Sequence, residues 1–120
     1  MKNVKLFAPV SSGRTWLGKK IINALYGKVG YVVIIDELIL SDNYEYITSD
    51  KFIYICLGFT ELSSQDIERK KFTAETQERL FAESKNWKDF ADKHDLRYFD
   101  VTNRDEKTYD NIVEWVKAQV

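Results

Sequence analysis

The chain has 120 residues, of which 44% are hydrophobic and 14% aromatic; this is enough for a packed core and argues against a disordered chain. Its 18 basic and 19 acidic side chains leave a formal net charge of -1, which gives no electrostatic basis for nucleic acid as a main partner. No apolar run approaches the roughly 20 residues of a membrane span and no secretory leader is visible, so one cytoplasmic domain over 1–120 is expected, with no membrane partner.

In chain order, residues 4–9 are predicted as the first strand. The small residues Ala8, Pro9, Val10, Ser11, Ser12 and Gly13 follow, then Arg14 and Thr15. A helix is predicted over 15–26, because Leu17, Ile21, Ala24 and Leu25 share one face. Gly27 is its expected C-cap and Gly30 a turn residue. The continuous apolar run at 31–35 has the composition of a strand covered on both faces, and it ends in Asp36 and Glu37. Residues 51–57 form a third run of this kind and 96–101 a weaker fourth. The lone Cys56, inside the third run, is expected to be a buried and inert thiol.

The polar stretch 63–95 predicts one long kinked helix or two shorter ones. Ser63 with Asp66 marks a helix start, and Thr73 is placed to cap a second helix after a break near Phe72. Leu80, Trp87, Phe90, Ala91 and His94 fall near one face. Tyr109, Ile112, Val113 and Val116 predict a final amphipathic helix. Alternating strands and helices predict an α/β three-layer sandwich with a mostly parallel sheet of four or five strands. In such a fold the loops at the carboxyl ends of the strands gather on one edge, where ligands bind.

The loop after the first strand carries most of the chemical information. A phosphate-binding Walker A loop reads G-x-x-x-x-G-K-[ST]. Here Gly13 and Thr15 fit, Ala8 replaces the first glycine and Arg14 replaces the lysine. Free amides and a partial positive charge at a helix start attract phosphate. Arg14 keeps the positive charge but in a longer, planar group. Thr15 is placed to offer a hydroxyl to Mg2+. The same residues also suit a plain turn with Ser11 or Ser12 capping the helix.

Asp36, ending an apolar strand, is an acid of the kind that holds Mg2+ directly or through water. Arg69 and Arg79 suit charge stabilisation over a transferring phosphate. Equally, the Arg69-Lys70-Lys71 cluster and Arg79 suit a solvated helix face, with Glu75 at i,i+4 spacing from Arg79; Lys70 and Lys71 are assigned to that face. Thr102 and Asn103, after the last strand, suit either a base-contacting loop or a cap for the final helix. His94, the only histidine, lies where a helix end places it near the last carbonyls.

Taken together, the A-P-V-S-S-G-R-T loop, the V-V-I-I-D-E strand, the D-K-F-I-Y-I-C-L strand, the E-R-K-K-F helix and R-Y-F-D-V-T-N resemble the P-loop small-molecule kinases, the adenylate-kinase and nucleoside-kinase-like group. The resemblance implies a P-loop NTPase-like sheet. It implies ATP phosphates at Ser11, Ser12, Gly13, Arg14 and Thr15, and Mg2+ at Thr15 and Asp36. Arg14, Asp36, Arg69 and Arg79 would be the catalytic set, with Thr102 and Asn103 near adenine. The expected reaction is phosphoryl transfer from ATP to a small acceptor. The connection at 27–30 is too short for a separate acceptor-binding insertion, and the loop lysine is missing. These departures motivate a second reading, a non-catalytic relative acting as a regulatory or interaction module, with Tyr44 and Tyr46 on its partner face. A third reading is a flavodoxin-like domain, whose Ser/Thr-rich loop would hold the phosphate of FMN.

Overall fold

The computed structural model describes residues 1–35 and 51–120; Asp36, Glu37, Tyr44 and Tyr46 lie outside the described residues. The element order is β1 (Lys2–Phe7), α1 (Arg14–Ala24), β2 (Val29–Ile35), β3 (Phe52–Gly58), α2 (Ser64–Lys70), α3 (Ala74–His94), β4 (Arg97–Asp100) and α4 (Glu106–Gln119). The four described strands form one sheet in the order β2-β1-β3-β4, and every pairing is parallel. The architecture is therefore α/β with all carboxyl ends on one edge, as expected.

Strand alternation divides the core. Leu6 and Ile55 are paired in register and face α1 and α4, where Leu17, Ile21, Ile112 and Val116 complete a buried cluster. Their neighbours Phe7 and Cys56 face the opposite side and pack against Trp87 and Ala91 of α3. Phe7 makes ring contacts with Tyr54, Trp87 and Phe90 there. Helices thus lie on both faces of the sheet, as right-handed crossovers leaving β1 and β3 in opposite directions require.

The stretch 63–95 resolves into two helices. Ser63 accepts the Asp66 amide at 3.1 Å and Thr73 accepts the Thr76 amide at 3.1 Å, so both predicted caps form. Lys71, left-handed with φ 54, ends α2. Leu80, Trp87 and Ala91 are buried on α3, and Tyr109, Ile112, Val113 and Val116 are buried on α4.

Several local expectations fail for identifiable reasons. α1 starts at Arg14 and ends at Ala24, with Leu25 as its C-cap. Gly27 has a positive φ of 83, yet it belongs to the turn after the helix. Gly30 lies inside β2, beneath the Asn3 side chain. Among the described strands β2 is the outermost on its side, and Tyr31 and Ile34 are exposed, so the strand is not buried on both faces. The cap of α4 is Asp105, which accepts the Thr108 amide at 2.8 Å; Thr102 and Asn103 lie too early in the chain for that role. Arg79 pairs with Glu83 at 3.9 Å, one turn beyond it, and not with Glu75.

Candidate functional site

β1 is flanked by β2 on one side and β3 on the other. The chain leaves β1 toward β2 and leaves β3 toward β4, so the loops after β1 and β3 diverge. Ligands in such sheets usually bind at the carboxyl edge where the chain diverges in this way, and the loop after β1 lies there.

The loop backbone has a definite pattern. Ser11 is left-handed with φ 69 and Gly13 with φ 75, while Ser12 between them is not left-handed and Arg14 begins the helix. The left-handed Gly13 followed by the helical Arg14 is the kind of pairing that curls successive N–H groups into a concavity. The amides of Ser11, Gly13 and Thr15 find no acceptor among the described residues, while the Ser12 amide closes the turn over Val10 and Ser11 toward Pro9. Gly13 is the N-cap of α1 and supplies no side-chain acceptor to its first turn. Ser11 and Ser12 therefore do not cap α1.

Instead Ser12 turns inward. It is fully buried and its hydroxyl donates to the Pro9 carbonyl at 2.8 Å. The Tyr109 hydroxyl, from α4, donates to the Ser12 carbonyl at 2.9 Å. A Cβ on Gly13 would collide with that hydroxyl and with the ring carbon bearing it, so this position requires glycine for space as well as for φ.

Two cations approach the loop. Arg14 Nη1 donates to the Ala8 carbonyl at 3.0 Å, folding the guanidinium back across the loop. Lys70 Nζ, at the end of α2, donates to Ser11 Oγ at 2.8 Å. Lys70 was not singled out from sequence, where it looked like one more charge on a solvated face. The position of the break after α2 would have been needed to find it.

The other expected site residues spread out. Thr15 is exposed in the first turn of α1, beside the loop amides. Arg69 is exposed and bonded to Asp66 at 3.1 Å. Arg79 is exposed on α3 in its pair with Glu83. Thr102 Oγ1 accepts the Thr60 amide at 3.0 Å, which joins the loops after β3 and β4 on the carboxyl edge. Asn103 is exposed on the same edge.

Arg104, in the loop after β4, carries no motif in the sequence that marks its role. It pairs with Asp66 of α2 at 2.7 Å and its guanidinium lies over the Phe59 ring at 4.7 Å from the centroid. Phe59 is buried, and its amide is taken by the buried Ser84 Oγ of α3 at 3.1 Å. The loop after β3 is therefore anchored from α3 below and from Arg104 at the side. His94 contacts the Phe90 ring at 4.5 Å, and burial pushes its pKa down.

Among the described residues no helix is long and apolar enough to cross a membrane. The chain matches no known protein family, no characterised protein and no solved structure.

Proposed function

We propose that this chain binds the phosphate groups of a nucleotide at residues 11–15 and acts as a kinase-like phosphotransferase, moving a phosphoryl group from ATP to a small acceptor. The single observation that supports it is the pair of left-handed residues Ser11 and Gly13, leading into a helix whose N-cap offers its first turn no side-chain acceptor. A left-handed serine is a costly conformation for an L-residue, and such strain concentrates at functional sites. Arg14 and Lys70 add two positive charges at the same loop, which suits a polyphosphate better than a single phosphomonoester.

Thr15 fits a role as Mg2+ ligand, since its residue is exposed beside the loop amides. Bound Mg2+ would neutralise charge on the phosphate oxygens. Asp36 remains the proposed acidic partner, from a position outside the described residues. Within the chain, Arg14 would exchange the Ala8 carbonyl for a phosphate oxygen, and Lys70 would exchange Ser11 Oγ in the same way. Thr102 and Asn103 lie on the edge where a base would extend from the phosphates.

A second reading is nucleotide binding without turnover. It is favoured by the connection between Ala24 and Val29, which leaves no space for an acceptor-binding insertion. The exposed pairing of Arg69 and Arg79 with their own helix neighbours points the same way. An FMN site is less favoured, because Phe59 after β3 is buried and no exposed aromatic side chain follows β3 or β4 among the described residues.

Isothermal titration with ATP and Mg2+ tests binding, and ADP release in the presence of candidate acceptors separates the two readings. Arg14→Ala and Lys70→Ala are each expected to weaken ATP binding about tenfold, the loss of one charged phosphate contact. Absence of heat at millimolar nucleotide would overturn both readings.

A further inference from the structure

α2 crosses the end of β3. It follows β3 in the chain, and β3 lies between β1 and β4 in the sheet. In the first turn of α2, Asp66 meets Arg104, in the loop after β4, at 2.7 Å. One turn later Lys70 meets Ser11, in the loop after β1, at 2.8 Å. The helix therefore bridges the loops on either side of β3, across the carboxyl edge.

Its hold on the body is unlike that of the other helices. α1, α3 and α4 each contain buried residues, whereas α2 contains none; only Asp66 and Ile67 are partly buried. A helix of two turns is not stable by itself in water, and an exposed hydrogen bond adds little. The groups that receive it are fixed: the Arg104 amide donates to the Val101 carbonyl at 3.1 Å, and its guanidinium lies over the buried Phe59. Leu62 and Phe72, just outside the two ends of α2, pack against the core, and Gln77 of α3 donates to the Phe72 carbonyl at 3.4 Å. Between these anchors the end contacts are internal. The Ser63 side chain accepts the Asp66 amide, and the Lys71 amide donates to the Glu68 carbonyl at 3.3 Å. The segment can thus move with its own caps intact.

We propose that residues 63–71 form a strap that opens and closes as a unit over the carboxyl edge while the sheet, α1, α3 and α4 stay folded. The Asp66–Arg104 pair is its main clasp and the Lys70–Ser11 contact the second. Opening frees the Arg104 guanidinium from Asp66 and parts Lys70 from the loop after β1. Access to the edge where such sheets take ligands is then set by a local equilibrium built into the fold. The strap works in the same way whatever ligand, phosphate or other, the edge takes.

Amide hydrogen exchange on the whole chain at low urea concentrations tests this. In the wild-type protein the amides of residues 68–71 should exchange at rates nearly independent of urea, because opening the strap exposes little surface. The amides of Ile112 and Val113, buried on α4, should speed up steeply with urea as they follow global unfolding. Arg104→Ala leaves the α2 sequence intact and removes the main clasp, so exchange at 68–71 should become roughly thirtyfold faster, as for the loss of one charged hydrogen bond. Val116→Ala weakens the body and not the strap. It should speed exchange at Ile112 and Val113 about tenfold and leave residues 68–71 unchanged, since the closed and open forms lose the same contact. Equal urea dependence of α2 and α4 in the wild-type protein would overturn the proposal, whether or not either variant folds. Equal acceleration of α2 and α4 in Val116→Ala would do so too, as would unchanged α2 exchange in Arg104→Ala.

Discussion

Asp66 of α2 and Arg104 of the loop after β4 meet at 2.7 Å, and this contact ties the short helix to the carboxyl edge of the sheet. The Arg104 side chain is 18% exposed, and its Nε and Nη2 are buried with no hydrogen-bond partner among the described residues. The face of Phe59 takes part of the place of those partners. Arg104→Ala should therefore cost about 2 kcal/mol, from the lost pair and the lost contact with Phe59, with Asp66 left to the exposed Arg69. Asp66→Ala and the double variant, compared by urea unfolding, should give less than the sum of the two single effects. Arg104→Lys should not restore stability, because a lysine cannot both pair with Asp66 and stack on Phe59.

At Gly13, alanine meets two costs at once. The left-handed φ of 75 disfavours any Cβ, and the Tyr109 hydroxyl occupies its place. Gly13→Ala is expected to destabilise the protein by about 2 kcal/mol, within the range for backbone strain of this kind. Denaturant titration measures it. Combining it with Tyr109→Phe should recover part of the loss, because one of the colliding atoms is gone.

Asp105 links stability to pH. The Thr108 hydroxyl, then the Thr108 amide, hold its carboxyl below the usual carboxylate range. The folded pKa lies below the unfolded one, so the stabilisation is complete above the unfolded value and is lost as pH falls through the folded value. Asp105→Asn keeps an N-cap acceptor but cannot titrate. Its thermal stability should therefore lose this contribution to the decline on the acid side, which melting curves from neutral pH down through the carboxylate range would detect. An unchanged acid limb would contradict the assignment.

Cys56 lies in the middle of β3 with no exposed surface, and burial pushes its thiol up to about 12. A thiol reagent at neutral pH should leave the native protein unmodified. Labelling should appear only as denaturant opens the sheet, and its rate should follow global unfolding.

The parts of the fold legible in the sequence were those with strong periodicity. α4 is the clearest case: Tyr109, Ile112, Val113 and Val116 repeat at helical spacing, and all four are buried. The caps at Ser63 and Thr73 were legible because capping depends on residues three apart. The exposure of β2 was not legible, because an apolar run looks the same in a central strand and in the outermost of the described strands; the strand order separates them. For the candidate site, the loop residues were found because their spacing follows a known phosphate-binding pattern. Lys70, Arg104 and Tyr109 were not, since each reaches the carboxyl edge from a different element and nothing in its immediate neighbours says so.

The amino-acid order alone determined which segments become helices and strands, where most helices begin, and that small residues with Gly13 lie between the first strand and the first helix. These follow from interactions within a few residues of each other. The tertiary structure decided which way the loop's peptides turn. That depends on a hydroxyl donated from α4 and an ammonium from α2, and contacts between residues so far apart in the chain exist only after the layers have packed.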